Sequence, residues 1–211
     1  VISRSHTHVN DPAGAAALES WNFTRNGDAR LLDYYRLDNP DPTQNHGLSV
    51  GFKLPAGDYQ VKNGDGTVAE RALQPGTGST DLVLGGYYWA PGWHPDSNWF
   101  AQGLVQQPVA TRDGFKPRTQ YQLNLGYLFP LSDSLQALAQ ISTLVKTRDT
   151  GLNAEPELSG SKAVYFSPGF RYSSTYDEPL YGFLQLPVYR YVNATRLSAD
   201  RSLIVGLTTQ F

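Results

Sequence analysis

The chain has 211 residues, a formal net charge of −2 and no cysteine. Near-neutrality supplies no positive field for nucleic acid, and the missing thiols exclude disulfides, cysteine metal ligands and cysteine nucleophiles. Hydrophobic content is 40%, and no run reaches the roughly 20 apolar residues of a membrane helix; a β-barrel, which turns only alternate residues outward, stays open.

Val1 to Val9 alternates weakly and offers a tenth strand beside the nine clearer ones below. It opens abruptly on Val1-Ile2-Ser3-Arg4 with no signal peptide, as a processed or trimmed chain does. Asn10 to Gly27 reads as a loop. Its alanine-rich piece, Ala13 to Ser20, has room for one or two helical turns. Asp28 to Asp38 predicts a strand that Asn39-Pro40-Asp41-Pro42 breaks. His46 to Leu54 alternates clearly, with His46, Leu48, Val50, Phe52 and Leu54 opposite Gly47, Ser49, Gly51 and Lys53. In the longest connection, Tyr59 to Ser79, the run Asn63-Gly64-Asp65-Gly66 predicts a short protruding hairpin.

Thr80 to Trp89 and Asn98 to Gln107 follow as strands, with Trp93 and Trp99 flanking the turn between them. Arg118 to Phe129 is the cleanest strand. Tyr121, Leu123, Leu125, Tyr127 and Phe129 face one way, and Gln120, Gln122, Asn124 and Gly126 the other. Leu135 to Lys146, Ser161 to Ser174 and Leu180 to Val192 continue the pattern, and Pro187 predicts either a bulge or a different strand boundary. The last eleven residues, Arg201 to Phe211, place Leu203, Val205, Leu207, Thr209 and Phe211 on one parity.

Short connections at 39–45, 91–97, 130–134 and 175–179 alternate with longer ones at 55–79, 108–117, 147–160 and 193–200. Outer-membrane barrels put short turns inside and long loops outside. The terminal aromatic Phe211 resembles the C-terminal recognition signal of such barrels. The expected fold is therefore all-β: one domain over 1–211, an antiparallel transmembrane β-barrel with nine or ten visible strands. Twelve are expected if the N-terminus is trimmed.

Two segments carry a family resemblance. They are Phe23-Thr24-Arg25-Asn26-Gly27-Asp28 through Tyr35, with Gly47 to Tyr59 after it, and Gly76-Thr77-Gly78-Ser79-Thr80-Asp81-Leu82-Val83-Leu84-Gly85. Together they resemble outer-membrane proteins of the phenol-degradation meta-pathway type. The resemblance implies an outer-membrane barrel associated with aromatic catabolism and supplies no catalytic residues.

Chemistry-bearing candidates are few. His6 and His8 share one face of an extended chain, but two imidazoles make a weak metal site. Only His46 and His94 remain as further imidazoles. Ser49 and His46, three apart on a strand, face opposite sides, and no Gly-x-Ser-x-Gly elbow exists. Asp177-Glu178 and Glu155 with Glu157 sit in turns as solvated charges. Asp58 and Asp65 near the Asn63–Gly66 turn lack calcium-loop spacing. No catalytic, metal or cofactor site is expected.

Gln102, Gln106, Gln120, Gln122, Asn124, Gln136, Gln140, Arg171 and Gln210 are the expected lumen-lining residues. Trp89, Trp93, Trp99, Tyr121, Phe129 and Phe211 are the expected membrane-interface or barrel-closure residues. The leading expectation is a non-enzymatic outer-membrane channel or transporter passing small organic solutes, aromatic ones among them, by passive diffusion. Its expected partners are outer-membrane lipid, lipopolysaccharide and, through the C-terminal strand, the barrel assembly machinery. The alternatives are a non-conducting structural or surface-binding barrel and a secreted β-rich binding protein.

Overall fold

The structure, a computed structural model, describes residues 2–10, 17–69, 71–152, 154, 156–173, 179–193 and 201–207. Alternating stretches become strands. They are β1 Ile2–Asn10, β2 Ala17–Arg25, β3 Ala29–Arg36, β4 Asn45–Leu54, β5 Ser79–Pro91, β6 Asn98–Thr111 and the short β7 Phe115–Lys116. After them come β8 Gln120–Pro130, β9 Leu135–Lys146, the short β10 Thr150–Gly151, β11 Ser161–Tyr172, β12 Leu180–Val192 and β13 Ser202–Leu207. Among the described residues helix is confined to 3-10 turns at Arg71–Leu73 and Pro156–Leu158.

β1 pairs with β2, β7 pairs with β10, and nine strands form one antiparallel sheet in the order β13-β12-β11-β9-β8-β6-β5-β4-β3. Its long strands follow chain order, an up-and-down meander. The expected bulge is present: Val164 pairs with Tyr189 but Tyr165 with Pro187, so Val188 is skipped.

The sheet is open. Among the described residues β3 pairs only with β4 and β13 only with β12 within it, and it is not curled into a closed barrel. This overturns the transmembrane barrel in its nine-, ten- and twelve-strand forms. The physical reason is that period two decides which side chains share a face, and alternating loop lengths decide a meander. Neither decides whether first and last strands join. Unpaired edge N–H and C=O groups have no hydrogen-bond partners in hydrocarbon. The outer-membrane location, the channel or transporter role, and lipid, lipopolysaccharide and the barrel assembly machinery as partners therefore lose their structural basis. Gln210 and Phe211 lie outside the described residues, as do Glu155, Asp177 and Glu178.

The predicted 10–27 loop is also corrected. Residues 17–25 form β2, in register with β1 from Ile2↔Arg25 to Asn10↔Ala17. The cause is a buried parity: Trp21 and Phe23 point inward while Asn22 and Thr24 point out. With Ala69 and Leu73 they form a small apolar core, and Val61 packs against it. The Trp21 indole donates to the Thr67 carbonyl at 3.1 Å, fixing the hairpin to the 59–78 connection. That connection holds the expected tight turn: Asn63 Oδ1 accepts from the backbone N–H of Asp65 and Thr67 at 3.0 and 2.8 Å, beside a Lys62↔Val68 bridge.

Trp21→Ala should cost roughly 3–5 kcal/mol of local stability, the usual loss for a large buried aromatic. Hydrogen exchange should speed up in 2–25 and 59–69 with little change in β8 and β9. Uniform acceleration across the chain would show that this small core anchors the whole sheet instead.

Candidate functional site

The register divides the sheet into two faces of opposite chemistry, because residues directly opposite on neighbouring strands point the same way. On one face Phe52 pairs with Leu31 and Leu82, and Val50 with Leu84. Further along, Val105 pairs with Tyr121, Leu125 with Ile141, Ile141 with Phe166, and Leu184 with Leu203. Most of this face is open: Leu123 is 47% exposed and Leu203 73%.

The other face is polar and largely covered. Ser49, Lys53, Asp81, Gln106, Asn124, Ser142 and Ser167 are all buried. One row crosses it near the long-loop end. Arg30 pairs with Lys53 and Lys53 with Asp81; beyond the bulge at Thr80/Asp81, Gln106 pairs with Gln120, Gln120 with Lys146, and Lys146 with Ser161.

The Lys53 ammonium is the centre of the row. It lies 3.2 Å from Asp28 Oδ2 and 3.0 Å from Asp81 Oδ2, and donates to Thr77 Oγ1 and to Ser79 Oγ, the latter at 3.0 Å. Lys53 is 4% exposed and Asp81 1%. Asp28 also accepts from the backbone N–H of Gly57 and of Thr77, at 3.2 and 3.0 Å, which draws both loops onto the sheet. Ser79 donates to Asp81 Oδ1 at 2.6 Å, the Gln106 amide to Asp81 Oδ2 at 2.6 Å, and Arg30 to Gln106 Oε1 at 2.5 Å.

A lysine beside a serine invites comparison with a nucleophilic pair. Here the ammonium is directed at two carboxylates, and the serine hydrogen is already given to Asp81. The arrangement neutralises buried charge and orders the loops. Its members were missed in sequence because Asp28, Lys53 and Asp81 stand more than twenty residues apart, each at a turn or strand end.

Eight of the nine residues expected to line a lumen share the polar face, the ninth being Gln210. Gln122 donates to Asn124 at 3.2 Å and Asn124 to Gln102 at 3.3 Å; Gln140 donates to Ser142 at 2.7 Å. Gln136 and Arg171 are directly paired. The expected interface aromatics are divided instead. Trp99, Tyr121 and Phe129 lie on the apolar face, with Trp99 packed 5.0 Å from Tyr88. Trp89 lies on the polar face, stacked 5.9 Å from Phe100, and Trp93 stands in the 91–97 turn, 96% exposed.

His46 and Ser49 occupy opposite faces of β4, so no hydrolytic pair forms. The side chains of His6 and His8 lie outside those described. Among the described residues no three His, Asp or Glu side chains converge as metal ligands. No protein-family model matches the chain, and no curated protein is significantly similar to it. The resemblance to phenol-degradation outer-membrane proteins is thus corrected: the fold is open and no family match supports it.

Removing Lys53 would leave two buried carboxylates without their counter-ion. Lys53→Met should destabilise the fold by roughly 3–5 kcal/mol, the usual cost of stranding a buried charge. Urea unfolding of the variant measures this. A loss under about 1 kcal/mol would mean that Asp28 and Asp81 are held by their other hydrogen bonds alone.

Proposed function

We propose that the chain is a non-catalytic, β-rich binding domain that takes its partner on the apolar face of the large sheet. The observation that carries this reading is the continuity of that face from Leu31 on β3 to Leu207 on β13. More than twenty exposed leucine, valine and aromatic side chains leave on the order of 1,000 Å² or more open, beyond the few hundred Å² that monomers usually expose. It also exceeds the roughly 800 Å² that each partner contributes to a standard interface.

The surface that fits a sheet face is another apolar sheet, packed at about 10 Å. A second copy of this chain brings one, related by a two-fold axis. Charge does not oppose this, because Asp33 and Lys162 are the ionised residues whose register places them on that face of the nine strands. The absence of a chemical step in this reading rests on the bonding of Lys53 and Ser79, the nearest approach to a nucleophile and base.

Light scattering during size exclusion tests the proposal. The full chain should elute with the mass of a dimer, and Leu123→Ser with Leu125→Ser should elute as a monomer. Both side chains are exposed, so the double change should cost the fold less than about 1 kcal/mol. A wild-type monomer that takes up no apolar dye would sink the binding reading. A monomer carrying bound detergent would sink the second copy as the partner.

A further inference from the structure

Lys146 differs from Lys53, Arg118 and Arg148, the cations at this end of the sheet that have carboxylate partners. Lys53 is matched by two carboxylates, and Arg118 by Asp149, whose Oδ1 lies 3.2 Å from its Nε and accepts its backbone N–H at 2.9 Å. Arg148 meets Glu157 at 3.4 Å. Lys146 is half-buried and forms no hydrogen bond or ion pair among the described residues. Burial pushes its pKa below the ordinary lysine range. Arg118 and Arg30 push it the same way by repulsion, while Asp149 opposes them.

The neighbours of this ammonium are ordered by the strands. Gln120 is its direct partner on β8, and Gln106 is the partner of Gln120 on β6. Arg30 reaches from β3 to bond Gln106 Oε1 at 2.5 Å. The guanidinium is thus held over β6 and the ammonium rises from β9, two strand spacings or roughly 10 Å apart at the backbone. Gln120 lies between them in register. Two cations on one face of the sheet suit a group with acceptor oxygens on two sides, each taking a charge-assisted bond.

We propose that the Arg30–Gln120–Lys146 end of the polar face binds a small oxyanion, a carboxylate or a phosphate. Lys146 and Arg30 supply the opposing charges and the Gln120 amide a third donor. Bound there, the oxyanion gives Lys146 the counter-ion it lacks and screens it from both arginines. This site lies on the face opposite the proposed docking surface, so the two readings stand or fall separately.

Calorimetric and thermal-melt titration of the full chain with sodium phosphate, and separately with sodium acetate, tests the site at ionic strength held constant with sodium chloride. Wild type should show saturable heat and a rising Tm with at least one of them. A phosphate response alone identifies a phosphate site and an acetate response alone a carboxylate site. Lys146→Gln should weaken binding at least about tenfold, the equivalent of one lost charge-assisted hydrogen bond. Lys162→Gln, on the opposite face of the next strand, should leave it unchanged.

The sign of the pKa shift supplies a second readout. A lysine whose folded pKa lies below its unfolded one carries its full penalty at pH below the folded value, and the penalty fades as pH rises through the interval between them. Lys146→Gln should therefore melt higher than wild type in anion-free buffer near neutrality. If that variant fails to fold, Arg30→Gln, at an exposed position, carries the comparison. Equal anion responses in wild type and variant, or no saturation with either anion, would overturn the proposal.

Discussion

One ammonium group holds the long-loop end of this molecule together. Lys53 projects from β4 into a space where Asp28 arrives from the turn before β3 and Asp81 from the start of β5. Taking a lysine and two carboxylates out of water is expensive, and attraction offsets the cost only when the remaining hydrogen-bonding capacity is filled. Here Thr77, Ser79, Gln106 and two backbone N–H groups fill it. The same bonds carry loops 55–58 and 74–78 onto the sheet. Loop placement and charge burial are one event in this fold.

Burial of polar side chains extends across the sheet beyond that cluster. A sheet with one wet face usually buries its apolar residues there and leaves the polar ones in water. This sheet does the reverse over most of its width: Ser49, Asn124 and Ser142 are buried while Val50, Leu123 and Ile141 are open. Cross-strand pairing and the polar network bind the nine strands together. The compact apolar cluster lies elsewhere, where Trp21 and Phe23 of the β1–β2 hairpin meet Ala69 and Leu73.

Much of the strand layout was legible in the sequence, because period two survives wherever the two faces differ. His46–Leu54 and Arg118–Phe129 were read to within about two residues of β4 and β8 for that reason. β2 was missed because an alanine run and Asn22 dilute its pattern, although Trp21 and Phe23 already shared a parity. The glutamine row was legible from alternation alone. The Lys53 network was not: Asp28 looked like a strand start, Lys53 like a strand end, and only the fold brings them within 3.2 Å. Closure was the largest error. Alternation is identical in an open meander and a closed ring, so the apolar parity of Leu203, Val205 and Leu207 could not tell an edge from a seam.

The two faces also divide the molecule chemically, because a strand sends successive side chains to opposite sides and neighbours in sequence therefore lie on different surfaces. Gln122 bonds Asn124 on the polar face while Leu123 between them stands exposed on the apolar one. Changes on one face touch few partners on the other, so their energies should add to within a few tenths of a kcal/mol. The pairing of Val145 with Lys162 and of Lys146 with Ser161 makes the point at its sharpest. Two lysines on adjoining strands lie on opposite faces: Lys162 among apolar side chains, Lys146 in the polar row. The proposed partner on the apolar face and the proposed anion on the polar face would thus draw on the same strands without competing for a single side chain.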